Sequence, residues 1–164
     1  MKRLSILLLS FCMLNGLGMS SAWATFSLSV DSQPLSFDVM DPGQGKELVS
    51  QGNYHNEVTC QSTNGTTWYL KIHVTRPFSS ASATVPLENF QWMLSEVQSG
   101  TGSPQNIGVY NAFTTSPTLV YISGNSDNSG TQVKARFRYQ LTLPANQLSG
   151  VYSTIVRYTL TETL

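Results

Sequence analysis

The side chains that could carry out acid–base, nucleophilic or metal chemistry are few and scattered in this sequence. The chain has two histidines, His55 and His73, and two cysteines, Cys12 and Cys60. A zinc or copper site would need further His, Cys or carboxylate ligands at regular spacings, which the sequence does not offer. The nine acidic residues are spread along the chain, so no pair stands out for glycoside hydrolysis. The sequence therefore predicts a protein that is not an enzyme and needs no cofactor or metal.

Three individual residues have simple structural interpretations. Asp127, within GNSDNSG, lacks the acidic neighbours and terminal Glu of a calcium loop, so turn formation is favoured. Cys60 lies in an alternating run and is interpreted as a buried small hydrophobe, with an intermolecular disulfide as the alternative. His73 shares a predicted strand face with Lys71 and Thr75 and is interpreted as a solvated histidine.

A row of three basic residues, Lys134, Arg136 and Arg138, is the most distinctive charged feature. The three are spaced two apart, so they point the same way from an extended strand. Like charges in this arrangement are typical of a solvated face or an edge strand. The functional alternative is a surface that contacts an anionic polymer or a partner protein.

Alternation of apolar and polar residues indicates which segments form strands. From residue 133 to residue 143 every odd position is apolar, which predicts a strand with one buried face. Similar runs cover residues 25–30, 34–39, 54–62, 67–75, 90–97, 118–122 and 151–161, with turn signals between them. This pattern predicts an all-β, antiparallel, immunoglobulin-like β-sandwich. The residues predicted for its core are Trp68, Leu70, Ile72, Trp92, Phe137, Tyr139, Leu141, Tyr152, Val156 and Tyr158.

The N-terminal segment is typical of a secretory signal peptide. Met1-Lys2-Arg3 is followed by an apolar stretch, and Ala22-Trp23-Ala24 fits a cleavage site that makes Thr25 the first mature residue. The apolar stretch is too short for a membrane span, so we expect no transmembrane anchor in the mature chain. The prediction is a signal peptide over residues 1–24, a single β-sandwich domain over 25–164, and export to the periplasm, cell surface or medium.

The charge balance argues against nucleic acid as a partner. Without Lys2 and Arg3 the chain has seven basic and nine acidic residues, with no basic excess and no run of one sign. We therefore expect partners other than nucleic acid.

Three segments resemble the spore coat U-like proteins and the archaic chaperone–usher pilin subunits. The first is residues 35–37 (LSF) followed by 41–43 (DPG), and the second is residues 58–60 (VTC) leading to 68–72 (WYLKI). The third is residues 150–152 (GVY), which are similar to the start of the final strand in those families. Those families usually carry an early cysteine that pairs with one like Cys60, and here residues 25–57 contain none.

The resemblance implies a secreted structural subunit that assembles by exchanging strands. In that family the last strand lacks a neighbour, and an alternating N-terminal segment of a partner subunit fills the open groove. Phe26, Leu28 and Val30 have the position and spacing of such a donor segment. The alternative is that the same segment pairs within its own domain as an ordinary first strand.

A second resemblance is to WxL surface domains, which associate with peptidoglycan. It rests on Trp68-Tyr69-Leu70 and on residues 158–161 (YTLT), where tyrosine stands in place of tryptophan. It implies the alternative function of a cell-wall or carbohydrate-binding module.

Overall fold

The computed structural model describes residues 24–31, 34–50 and 52–164. Ala22 and the rest of the predicted signal peptide before Ala24 lie outside these ranges. The described part is built from antiparallel β-strands, so the all-β prediction is confirmed. Within it, no helix has the length and apolar character needed to cross a bilayer.

The strands of the described part are short and follow one another closely along the chain. In order they are β1 (Phe26–Val30), β2 (Gly45–Leu48), β3 (Asn56–Ser62), β4 (Tyr69–Val74), β5 (Phe78–Ser79), β6 (Thr84–Val85), β7 (Phe90–Gln98), β8 (Ser103–Pro104), β9 (Asn111–Ala112), β10 (Thr118–Ile122), β11 (Val133–Thr142) and β12 (Val156–Thr161).

Two antiparallel sheets form the layers of a β-sandwich. The first sheet has the order β1-β3-β11-β7-β9, and β2 pairs with the far end of β11, beyond β3. The second sheet has the order β12-β4-β10-β8, while β5 and β6 form a separate ribbon. We call these two layers the first sheet and the second sheet below.

The core lies between the two sheets, and the alternation of β11 shows how the sequence builds it. Its odd positions from Val133 to Leu141 are at most 2% exposed, while Lys134, Arg136 and Arg138 lie on the opposite face. Trp92 on β7 and Trp68 before β4 are both fully enclosed in the same core. Burying these aromatic side chains contributes on the order of 2–3 kcal/mol each to folding.

The strand predicted over residues 34–39 is wrong, because this segment is irregular. Asp38 has a φ of 55°, which breaks an extended backbone, and the segment pairs with no strand of the described part. Phe37 nevertheless packs into the core at 7% exposure, and Leu35 packs against it. The apolar alternation therefore reports burial here and not strand pairing.

The Asn-Gly pair at residues 64–65 is typical of a tight hairpin, but no hairpin forms here. This turn joins β3 to β4, which belong to different sheets and do not pair with each other. Gly65 has a φ of 74°, so it provides the left-handed turn that the Asn-Gly pair predicts. The link carries the chain from one layer of the sandwich to the other.

Candidate functional site

The two sheets both end in an edge strand on the same side of the molecule. Among the described residues, β1 pairs with β3 alone and β12 pairs with β4 alone, and the two edge strands are in contact. β1 is thus paired within its own domain, and it forms no strand ladder with the edge of β12. The backbone N–H and C=O groups along such an edge are available to another strand.

The apolar face of β1 is incompletely covered. Phe26 and Val30 are 39% and 40% exposed, and only Leu28 packs partly against the core. Ser27 and Ser29 occupy the outer face and are exposed as well. A strand with so little burial gains little from docking where it lies.

An open groove runs beside β12. Its volume is about 960 Å³, and two segments supply much of its lining: residues 34–42, and residues 147–154 together with Val156. Phe78, Phe90 and Leu141 form part of its apolar lining. The groove is therefore bounded by the irregular segment after β1 and by the chain that leads into the last strand.

The rim of the groove presents apolar side chains to solvent. Val39 is 96% exposed in the segment 34–42, and Val151 and Leu148 are 92% and 58% exposed in the segment 147–154. Clustered exposed apolar residues of this kind mark surfaces that bind other molecules. The exposed rim is thus apolar surface that an apolar or amphipathic segment would cover.

A polar cluster at the end of β1 fixes the start of the segment 34–42 to β3. Asp31 Oδ1 accepts hydrogen bonds from the Glu57 backbone N at 2.9 Å and from Asn56 Nδ2 at 3.0 Å. His55 Nε2 lies 3.1 Å from the carbonyl oxygen of Pro34, so it is the protonated ring nitrogen and donates. These contacts fix both residue 31 and residue 34 to the start of β3.

Two tyrosines on opposite sheets meet below the groove. The hydroxyls of Tyr139 on β11 and Tyr158 on β12 are hydrogen-bonded to each other. Burial raises the pKa of both tyrosines, so they remain neutral hydrogen-bonding groups. The pair links the edge strand β12 to the first sheet and provides no charged group for chemistry.

Each member of the predicted basic row has an acidic partner on a neighbouring strand. Lys134 Nζ and Arg136 Nε contact the two carboxylate oxygens of Glu57, both at 2.9 Å. Arg136 Nη1 also lies 2.9 Å from Glu96, and Arg138 Nη1 lies 3.3 Å from Glu47. Burial alone would raise the pKa of Glu57, but the two cations lower it overall. The charge of the row is thus balanced within the first sheet.

The single cysteine of the described part is chemically quiet. Cys60 is 1% exposed, and burial raises the pKa of its thiol to about 12. A thiol in this state is protonated at neutral pH and neither attacks nor binds metal readily. In the described residues no group of three His, Cys, Asp or Glu side chains is arranged to hold a metal ion.

Asp127 is fully buried and acts as a hydrogen-bond acceptor for the chain around it. One carboxylate oxygen accepts from the backbone N and Oγ1 of Thr101, at 2.9 and 3.1 Å. The other accepts from the Tyr121 hydroxyl and the Gly124 backbone N, both at 2.7 Å. The four donors explain the burial of this carboxylate as loop structure and leave no role for a cation.

Trp68 and Trp92, two of the predicted core residues, are both enclosed. Trp68 and Trp92 are 0% and 1% exposed, and Trp68 Nε1 donates to the Asp127 carbonyl oxygen at 3.4 Å. Neither ring presents a face to solvent on which a sugar could stack. Val156, Tyr152 and Tyr158, also considered for the core, are half-buried where they flank the groove.

Sequence reasoning did not find Val39 and Val151 as site residues. Neither stands out locally, and what distinguishes them is that they line the same groove although they lie far apart in the chain. Comparison of the chain with models of known protein families gives no match, and comparison with curated proteins gives none either. The functional argument therefore depends on the fold and on the geometry of this groove.

Proposed function

We propose that the protein is a secreted, non-enzymatic structural subunit of the cell surface, built as an immunoglobulin-like sandwich, that assembles by accepting a strand from another subunit. The observation that carries the proposal is the free edge of β12 beside an apolar groove with exposed rim valines. Export is supported by the signal-like sequence of residues 1–24.

An incoming strand would satisfy both properties of this site. Its backbone would pair with the open edge of β12, which supplies affinity without regard to sequence. Its alternate side chains would enter the groove over Phe78, Phe90 and Leu141, which supplies specificity. Covering Val39 and Val151 would remove apolar surface from water, which would stabilise the complex by about 25 cal/mol for each Å² buried.

The donor in this proposal is the N-terminal segment of a second copy, residues 25–30. Phe26, Leu28 and Val30 share one face, as an inserted strand requires. In the isolated chain this segment docks on β3 with two of its three apolar side chains substantially exposed. Exchange between subunits would replace this incomplete burial with burial inside a groove.

The proposal is tested by size-exclusion chromatography with light scattering on the purified exported protein. We expect oligomers for the wild-type chain and monomers after deletion of residues 25–30. We also expect monomers for the double variant Val39→Asp/Val151→Asp, because two carboxylates in the groove oppose an apolar strand.

A matched control separates the groove from apolar surface in general. Ile107 and Val109 are 48% and 54% exposed in a loop that does not line the groove. The double variant Ile107→Asp/Val109→Asp should still assemble, and both double variants should keep a cooperative thermal unfolding transition, which shows that they are folded. The proposal would be contradicted by a wild-type chain that is monomeric at all concentrations. It would also be contradicted if the chain still assembled after deletion of residues 25–30 and in the Val39→Asp/Val151→Asp variant.

A further inference from the structure

Basic residues are distributed unevenly between the two sheets. Four of those in the described part, Lys46, Lys134, Arg136 and Arg138, pair with carboxylates on or beside the first sheet. The other three described basic residues are Lys71, Arg76 and Arg157, and none of them forms an ion pair with a described residue. All nine carboxylate side chains of the chain are described, so no ion-pair partner for these three cations lies outside the described residues.

Lys71 and Arg157 lie on the outer face of the second sheet, and Arg76 lies just beyond the end of β4. In the register of β4 and β12, His73 is opposite Arg157 and Lys71 is opposite Thr159. Arg157 is therefore a diagonal neighbour of Lys71, about 7–8 Å away. Arg76 Nη2 donates to Ser153 Oγ at 3.1 Å. Ser153 precedes Arg157 by four residues, which is about 13 Å along an extended chain. We call Arg76, Arg157 and Lys71 the cationic row.

The groups around the cationic row do not neutralise it. Burial and the charge of Arg157 both lower the pKa of His73, so this side chain is neutral at pH 7. Lys71 Nζ donates to the carbonyl oxygen of Thr163 at 3.2 Å, which leaves its charge in place. Glu162, just beyond the end of β12, keeps its charge but forms no ion pair with a described cation; its hydrogen bonds come from Asn64 and Thr66 at 2.7 and 2.6 Å.

The remaining side chains of this face carry hydroxyl groups or a single apolar contact. Thr159 and Thr161 on β12 share the face with Arg157, and Tyr69 is opposite Thr161. Ile155, 57% exposed, lies between Ser153 and Arg157. One exposed isoleucine is too little to insert into a lipid bilayer or to anchor a protein partner. Hydroxyls and one apolar side chain can contact the hydroxyl and C–H groups of a sugar chain.

We infer that the cationic row is a binding surface for an acidic polysaccharide. A linear polymer with a carboxylate on successive sugars matches a line of three cations about 20 Å long. The charges of the polymer would replace the ion-pair partners that these residues lack in the chain itself. Lys71, Arg76 and Arg157 are not among the residues that line the groove, so the inference does not depend on strand exchange.

The test measures binding of the purified protein to sodium alginate, whose only charged groups are carboxylates. We expect saturable binding that weakens as salt is raised, and no binding to neutral dextran. The triple variant Lys71→Gln/Arg76→Gln/Arg157→Gln should bind at least about tenfold more weakly. The control Lys46→Gln/Lys134→Gln/Arg138→Gln removes the same charge from ion-paired residues of the first sheet and should stay within about threefold of wild type.

Each other outcome counts against the inference. No binding of the wild-type protein to alginate, or equal loss in the two triple variants, would overturn it. Tighter binding to phosphatidylglycerol vesicles than to alginate would show that the partner is a lipid surface and would also overturn it. If thermal unfolding shows that the first triple variant is not folded, Arg157→Gln is compared with Arg157→Lys. The inference then requires that binding is weakened by the first change and retained by the second.

Discussion

Leu28 on β1 lies directly opposite Cys60 on β3 in the antiparallel register of these two strands. Cα atoms of opposite residues in such a pair are about 4.5–5.5 Å apart, which is within the range that a disulfide spans. The families that the sequence resembles usually pair an early cysteine with one like Cys60. In this chain Leu28 occupies the opposing position, so β1 is held by packing and hydrogen bonds and can leave β3 without breaking a covalent bond.

The substitution Leu28→Cys is expected to create a disulfide with Cys60 under oxidising conditions. Closing the loop between them should stabilise the fold by about 3 kcal/mol relative to the reduced form of the same variant. The measurement is a urea unfolding midpoint with and without reductant, together with a thiol count on the unfolded protein. Leu28→Ser serves as the control for loss of the leucine, and its midpoint should not respond to reductant.

The same variant distinguishes whether β1 acts within its own chain or in a neighbour. The oxidised Leu28→Cys protein cannot release β1, so it should remain monomeric, and reductant should restore assembly. Light scattering before and after reduction reports the result. Oligomers that form equally well with the disulfide intact would show that assembly does not use residues 25–30.

Asp127 should make the stability of the protein sensitive to acid. Burial raises the pKa of Asp127, but hydrogen bonds from Tyr121, Gly124 and Thr101 more than offset this and lower it overall. The stabilisation from a lowered pKa is complete above the unfolded value near 4 and is lost as pH falls through the folded value. We therefore expect the free energy of unfolding to fall below about pH 4.

The substitution Asp127→Asn should reduce this acid sensitivity and cost about 1–3 kcal/mol at pH 7, because at least one buried donor loses its acceptor. Urea unfolding at several pH values between neutrality and pH 3 measures both effects. Asp41→Asn, at an exposed turn position, is the matched control and should leave the profile unchanged. An Asp127→Asn profile parallel to that of the wild type would contradict the assignment.

Arg136 should contribute more to stability than its neighbour Lys134. Its guanidinium contacts Glu57 and Glu96 and lies 4.4 Å from the centroid of the Tyr54 ring. Its side chain is 19% exposed, whereas that of Lys134 is 38% exposed. We expect Arg136→Met to cost about 1–2 kcal/mol and Lys134→Met less than about 0.5 kcal/mol, measured by urea unfolding. Equal costs would show that the extra contacts of Arg136 contribute nothing.

Gly102 is expected to tolerate no side chain. A Cβ atom at this position would lie 2.0 Å from the carbonyl oxygen of Ile122 and 2.7 Å from the backbone N of Gly124. Both contacts are backbone atoms, so β8 would have to move away from β10. Gly102→Ala should lower stability by about 2–3 kcal/mol, whereas Ser103→Ala at the adjacent exposed position should change it by less than about 0.5 kcal/mol. Thermal unfolding of the two variants makes the comparison.

The sequence predicts strands well where a continuous alternation faces a continuous core. The run predicted over residues 133–143 corresponds to β11 (Val133–Thr142), and the run over 118–122 corresponds to β10 (Thr118–Ile122). Local pattern does not say which strand is the neighbour, as the inter-sheet turn at Asn64-Gly65 shows. It also fails at residues 34–39, where half-buried Leu35 and buried Phe37 mimic a strand that has no pairing partner in the described part.

The candidate site is less predictable because its parts are far apart in the chain. Arg136 meets its partners Glu57 and Glu96 across 79 and 40 residues. The basic residues at 134, 136 and 138 could therefore be found in the sequence, but the carboxylates that neutralise them could not. The groove likewise depends on two irregular segments that approach each other only in the folded protein. Periodicity describes one strand at a time and carries no information about such distant pairs.

The position of β12 at the border of the second sheet has a consequence for any polymer of this protein. Its edge faces the groove while its outer face carries Arg157 of the cationic row, so pairing along the edge leaves the outer face uncovered. In a chain of subunits joined strand to groove, the row would recur once per subunit at a fixed spacing. Contacts that are weak in one subunit would then add up along an acidic polysaccharide. The assembled protein would bind the polysaccharide with an avidity far beyond the affinity of one subunit.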